Sequence, residues 1–201
     1  MTILSKNNQT GRSMVEMLGV LAIIGVLSVG GISGYSKAMA KFKLTKAQDQ
    51  ITMLLMNIRT AFATSPNYDG LVNDTAIDYN IAPTDMVPDT TKTDINHAFG
   101  GGVVVGATTA AGTDITKNAS KDDTKGQYFL IKFDNLGNEA CLSLATSDWG
   151  TDGLVRIKVA GSGGVSGDTS ANKEAKYIPL KLNETGCGGK GSKNSITWIY
   201  Y

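Results

Sequence analysis

Few residues of this chain are of a type and spacing that could do chemistry. Glu16 stands at the lip of an apolar run, and from Met17 to Ser36 twenty residues pass without a charge. A carboxylate carried into hydrocarbon costs about 3 kcal/mol even on lenient insertion scales, so Glu16 must stay interfacial or meet a cation. Cys141 and Cys187 are the only cysteines. In an exported domain an even pair reads as one disulfide; two reduced, buried thiols are the alternative. His97 is the sole histidine, so a His-based dyad would have to use it, and it is expected in an exposed loop. Asp148, Asp152 and the Asp122-Asp123 pair could hold Ca²⁺, although solvated turns account for them better. Gly186-Cys187-Gly188-Gly189-Lys190-Gly191-Ser192 has the wrong glycine-to-lysine spacing for a phosphate loop and lacks a strand–helix frame. Asn73, Asn118 and Asn183 sit in N-x-Ser/Thr triplets, which are common by chance. No acid, base or metal set converges, so no cofactor and no metal are expected, and a signal-anchored periplasmic enzyme is the weaker class of function.

Composition limits the remaining classes. The chain has 201 residues and a formal net charge of +1. No stretch combines dense Lys/Arg with stacking aromatics, which argues against nucleic-acid contact. Twenty-four glycines against four prolines favour turns without breaking a long helix.

The elements that must position these residues begin with a helix. The uncharged run covers about 30 Å of α-helix, enough to cross a bilayer core. Beyond Lys37 the apolar residues Phe42, Leu44, Ala47, Ile51, Leu54, Leu55, Ile58 and Phe62 recur at spacings of three and four, with Lys43, Lys46, Asp49, Gln50 and Asn57 largely elsewhere. No proline falls between Ser13 and Ser65, and Pro66 is a stop signal. The expectation is one helix over 12–65, a membrane half over about 13–36 and an amphipathic half over about 37–65. Two helices broken at Gly30-Gly31 and Gly34 are the alternative. Residues 66–126 read as an irregular connection with one or two short elements, Val103-Val104-Val105 among them. Strands are expected at Tyr128–Phe133, Glu139–Ala145, Leu154–Val159, Tyr177–Leu182 and Ile196–Tyr200, the first two joined as a hairpin through Asp134-Asn135-Leu136-Gly137. Gly161–Gly167 and Gly188–Ser192 read as flexible. Trp149 and Trp198 are expected as packing residues. The fold class is α+β, a long helix packed on a C-terminal antiparallel sheet.

Gly11-Arg12-Ser13-Met14-Val15-Glu16 after a polar leader resembles the class III leader of type IV prepilins. There a membrane peptidase cuts after a glycine, and the fifth mature residue is glutamate. An uncleaved signal anchor is the other reading of the same stretch. The resemblance implies a leader over 1–11, cleavage between Gly11 and Arg12, a mature N-terminus at Arg12 open to methylation, and Glu16 as the acid of assembly. The chain departs from the family by placing Arg12 where Phe, Met or Leu is usual. Its eleven-residue leader lies between the short type IVa and the longer type IVb leaders. Ala140-Cys141-Leu142-Ser143-Leu144-Ala145-Thr146-Ser147-Asp148-Trp149-Gly150 is similar to the Cys-containing strand and turn of type IVb pilins, and Ile196–Tyr200 to their closing strand. The resemblance implies that the region 141–187 forms much of a fibre's outer surface. It also implies that Gly30, Gly31 and Gly34 supply the helix flexibility that a proline often supplies in pilins.

The implied function is a structural subunit of a type IV, IVb-like pilus that polymerises with itself. The implied partners are the prepilin peptidase, the inner-membrane pilus assembly machinery, and the membrane before assembly. Adhesion, aggregation, DNA uptake or motility would be uses of the extracellular fibre (fimbrium). A minor pilin or a type II secretion pseudopilin is the alternative. Charges near the two ends of the apolar run slightly favour the opposite orientation under the positive-inside rule. The cysteine pair and the cytoplasmic leader place the C-terminal domain outside.

Overall fold

The computed structural model describes residues 14–88, 94–108, 126–150, 153–161, 166–168, 186–188 and 194–201. Helix α1 runs unbroken from Met14 to Ala61. Gly30, Gly31 and Gly34 lie in its interior, each costing about 1 kcal/mol relative to Ala in water. The helix ends four residues earlier than Pro66 suggests, in turns through Thr64 and Ser65. The chain divides into two units, 1–42 and 43–201, so the second half of α1 belongs with the globular part.

In the first unit every described residue is exposed, from Met14 to Phe42. In the second, α1 presents Ala47, Ile51, Leu54 and Ile58 to the core, all with no exposed surface. These are the amphipathic positions read from periodicity, and burying each large one contributes about 1.5–3 kcal/mol. Gln50 is a correction. It lies on the buried face, where its amide is satisfied on both sides: Nε2 donates to Asp85 Oδ2 at 3.1 Å, and Oε1 accepts the Ala98 N–H at 2.9 Å.

Between α1 and the sheet come α2 (Asn73–Asp78) and a short 3₁₀ turn (Thr84–Met86). Among the described residues six strands follow: β1 (Ile95–Asn96), β2 (Gly102–Thr108), β3 (Tyr128–Leu136), β4 (Leu154–Ala160), β5 (Ser166–Asp168) and β6 (Asn194–Tyr200). Their order is β1-β2-β3-β6-β4-β5, and every neighbouring pair is antiparallel. β1 covers only the start of β2. Asn73 continues the pairing with its side chain, donating to the Val103 carbonyl and accepting from the Val105 N–H, each at 2.8 Å. Leu71 accepts from the Ala107 N–H further along. An unpaired strand edge is thereby closed by an amide and a loop. Because Asn73 is buried and spent on this edge, its triplet is no surface acceptor.

Two expectations fail in the sheet region. Glu139–Ala145 is no return strand but the body of α3 (Asn138–Thr146). Asn135 in a left-handed conformation and the bulge between Phe133 and Leu136 do turn the chain, but into a helix entry capped at Gly137. The segment lacks β-branched residues before Thr146, carries Glu139 in its first turn, and buries Ala140, Cys141, Leu144 and Ala145 on one helical face. Ser166 and Gly167, expected within a flexible segment, instead pair with Ala160 and Val159 as part of the edge strand Ser166–Asp168. The strand expected at Tyr177–Leu182 lies outside the described residues, as do Gly189–Ser192.

Candidate assembly helix and disulfide-closed surface

Glu16 lies in the first turn of α1, where the positive end of the helix dipole favours an acid. It is exposed, and its apolar neighbours Met14, Val15, Met17 and Leu18 are about half or more exposed. A carboxylate set in an apolar helical surface calls for a cation supplied from outside that surface. Gly11 and Arg12 lie outside the described residues. α1 is long and apolar enough to cross a membrane. An added Cβ at Gly30, Gly31 or Gly34 would meet nothing within 4 Å, so packing within the chain does not demand glycine there.

Cys141 and Cys187 form a disulfide, with their Cα atoms 5.9 Å apart. α3 carries Cys141 on its buried face, so the bond ties residues 186–188 to the domain core. The sequence separation is 46, and closing a loop of that size removes unfolded-state entropy of about 4 kcal/mol in the chain-entropy model. Trp149 and Trp198 pack as expected, ring centroids 5.2 Å apart and edge to face. The Trp149 indole N–H donates to the Leu144 carbonyl at 2.9 Å.

His97 is the largest correction. It is buried at 3% exposure, stacked at 4.7 Å and 10° on Phe133. Nδ1 accepts the Phe99 N–H at 3.2 Å, which leaves the proton on Nε2 to donate to the Asp134 carbonyl at 2.7 Å. Burial pushes its pKa below the ordinary histidine value, only partly opposed by that hydrogen bond and by the Asp134 charge. Both ring nitrogens are occupied by the backbone, so His97 is a structural clip between the β1–β2 turn and the end of β3. Nearby, burial raises the Asp85 pKa, but hydrogen bonds from Lys46 and Gln50 and the Lys46 charge outweigh it and leave the carboxyl low. Lys46 Nζ is 3.1 Å from Asp85 Oδ2 in an ion pair half open to solvent. Nothing in the local sequence marks His97 or Gln50 for burial, since their partners lie 37 and 48 residues away.

Asp148 accepts the Gly150 N–H at 3.0 Å in a turn, and no group of three or more metal-ligating side chains occurs among the described residues. Asp152, Asp122-Asp123, Asn118 and Asn183 lie outside them.

A family model described as Bundlin matches residues 37–200. The major structural subunit of the bundle-forming pilus of Escherichia coli O127:H6 is 26% identical over 201 residues, covering 98% of this chain and 97% of that protein. Its counterpart in Escherichia coli O111:H- is 25% identical over the same span. Among solved structures, a type IVb pilin from Salmonella typhi matches at TM-score 0.48 and 18% identity, over 80% of this chain and 98% of that one. TcpA, a type IV pilin from Vibrio cholerae El Tor biotype, matches at 0.47 and 14%, over 79% and 99%. The family model covers most of the chain and the curated relatives nearly all of it: this chain belongs to the bundlin family, structural proteins and not enzymes.

Proposed function

We propose that this chain is the structural subunit of a type IVb-like pilus, and that it assembles through α1. Residues 1–11 are removed by prepilin peptidase after Gly11, residues about 13–36 hold the subunit in the inner membrane, and the assembly machinery then transfers it to the extracellular fibre. The observation that carries this reading is a single helix, Met14–Ala61, whose residues 14–36 bury nothing within the chain and carry a single charge, Glu16. Water is a poor environment for such a surface; lipid first and other copies of the helix later are better ones.

Glu16 supplies the register. Cleavage leaves a positive α-amine on Arg12, and burying either charge alone is unfavourable. An incoming amine that meets the Glu16 carboxylate of a seated subunit neutralises both, and does so only at the correct axial position. Arg12 and Glu16 are four residues apart and can also pair within one helix, although a basic residue preceding an acid is the weaker order. Gly30, Gly31 and Gly34 give the helix a place to lose hydrogen bonds when copies pack together. The disulfide-closed surface and the two relatives' description as major subunits favour this reading over a minor pilin or a pseudopilin.

Intact mass of fibre material tests the processing. Loss of residues 1–11, with or without one added methyl, is the expected result, and a bulky replacement of Gly11 should block it. Fibres built from chains that keep Met1 would overturn the cleavage.

A further inference from the structure

A groove of about 330 Å³ opens between the second half of α1 and the turn after α3, lined by Gln48, Thr52 and Leu55 on one side and Ser147, Asp148 and Trp149 on the other. Most of its donors are already spent. The Gln48 amide donates to Ser147 Oγ at 3.0 Å, the Ser147 hydroxyl to the Ser143 carbonyl at 2.6 Å, and the Thr52 hydroxyl to the Gln48 carbonyl at 3.0 Å. The Trp149 indole N–H is committed to Leu144. What the lining still offers at its mouth is acceptors: the Gln48 amide oxygen, the Thr52 hydroxyl lone pairs and the Asp148 carboxylate. Asp148 is exposed, and among the described residues one of its oxygens is occupied, by the Gly150 N–H. It has no ion-pair partner among the described residues.

A neutral, hydroxyl-rich ligand needs donors as well as acceptors from its site. An acceptor-rich groove with a carboxylate at its mouth and an indole in its wall suits a cation instead, through charge-assisted hydrogen bonds and attraction to the ring face. The complement is present on the same chain. Lys37 and Lys43 of α1 are exposed and have no ion-pair partner among the described residues, and a net charge of +1 lets copies approach without strong repulsion.

We propose that the Gln48–Asp148–Trp149 groove receives a lysine side chain of a second copy of this chain in the fibre. This rests on the pilus-subunit reading and adds a contact on the globular part to the one made by α1.

The test uses fibres grown from an equal mixture of light and isotopically heavy chains, treated with a water-soluble carbodiimide. The reagent activates the Asp148 carboxylate, and a lysine amine in contact displaces it to form an amide with net loss of water. Peptide mapping should find Asp148 joined to a lysine peptide with light–heavy pairs present, and the product should be lost in Asp148→Asn fibres. If that variant fails to assemble, the wild-type product decides alone. Intact fibres in which Asp148 is unlinked, or linked only to a lysine of its own chain, overturn the proposal and leave the subunit reading standing. Failure of the wild-type chain to form fibres removes the subunit reading and this proposal together.

Discussion

His97 donates from Nε2 to the backbone carbonyl of Asp134 at 2.7 Å, a bond across 37 residues that joins the β1–β2 turn to the end of β3. The ring can make this bond and accept from Phe99 only while neutral. Burial depresses the folded-state pKa below the unfolded value of about 6.5. The unfolded chain therefore binds the proton first. Above about pH 6.5 His97 contributes no pH dependence; as pH falls below that value stability declines, and it levels off once the folded state is protonated too. Asp85, with its lowered pKa, contributes stability above its unfolded value that is lost further into acid, as pH falls through its folded value. Denaturant unfolding of the intact chain at several pH values should show the upper decline, and His97→Gln should flatten it. An unchanged slope in the variant would remove His97 from the account.

Gly101 makes the close approach possible. An added Cβ there would sit on the Asp134 carbonyl oxygen and the His97 ring. Gly101→Ala should cost about 1–3 kcal/mol, the usual range for overpacking a tight site. Gly102→Ala, whose Cβ would meet nothing within 4 Å, is the matched comparison and should be neutral or stabilising by up to about 1 kcal/mol. Equal denaturation midpoints for the two variants would contradict the clip.

Reducing the Cys141–Cys187 bond should lower stability by about 2–5 kcal/mol. Replacing both cysteines with serine should have a similar effect, measured as a shift in thermal midpoint. Non-reducing peptide mapping of native material should give one linked pair, and free thiols at both positions would contradict it.

Much of this was legible in the sequence, and the exceptions share a cause. The α1 stripe of Ala47, Ile51, Leu54 and Ile58 declares itself by period, and β4 and the closing strand β6 by their β-branched and aromatic content. Asp134–Gly137 was recognisable as a turn, but a turn signal does not say whether a strand or a helix follows. In α3 the short run Ala140–Ala145 fits either period, and packing of Cys141 and Leu144 into the core decides for helix. His97 and Gln50 look like surface residues because polarity is their only local signal. Their burial depends on Phe133, Asp134 and Ala98, which only the tertiary fold brings near. Glu16, by contrast, was conspicuous because a single charge in an apolar run stands out without any structure.

If Glu16 receives the amine of a neighbouring subunit, as proposed, fibre yield depends on its carboxylate and Glu16→Ala removes it. The variant should insert and lose residues 1–11 as the parent does, yet form no fibres or drop out of mixed ones, as judged by electron microscopy and sedimentation. Arg12→Met should assemble at least as well as the parent, because the α-amine remains and its side-chain competitor is gone. Loss of fibres in Arg12→Met would point to an internal Arg12–Glu16 pair instead. Normal fibre yield from Glu16→Ala would contradict the docking mechanism outright.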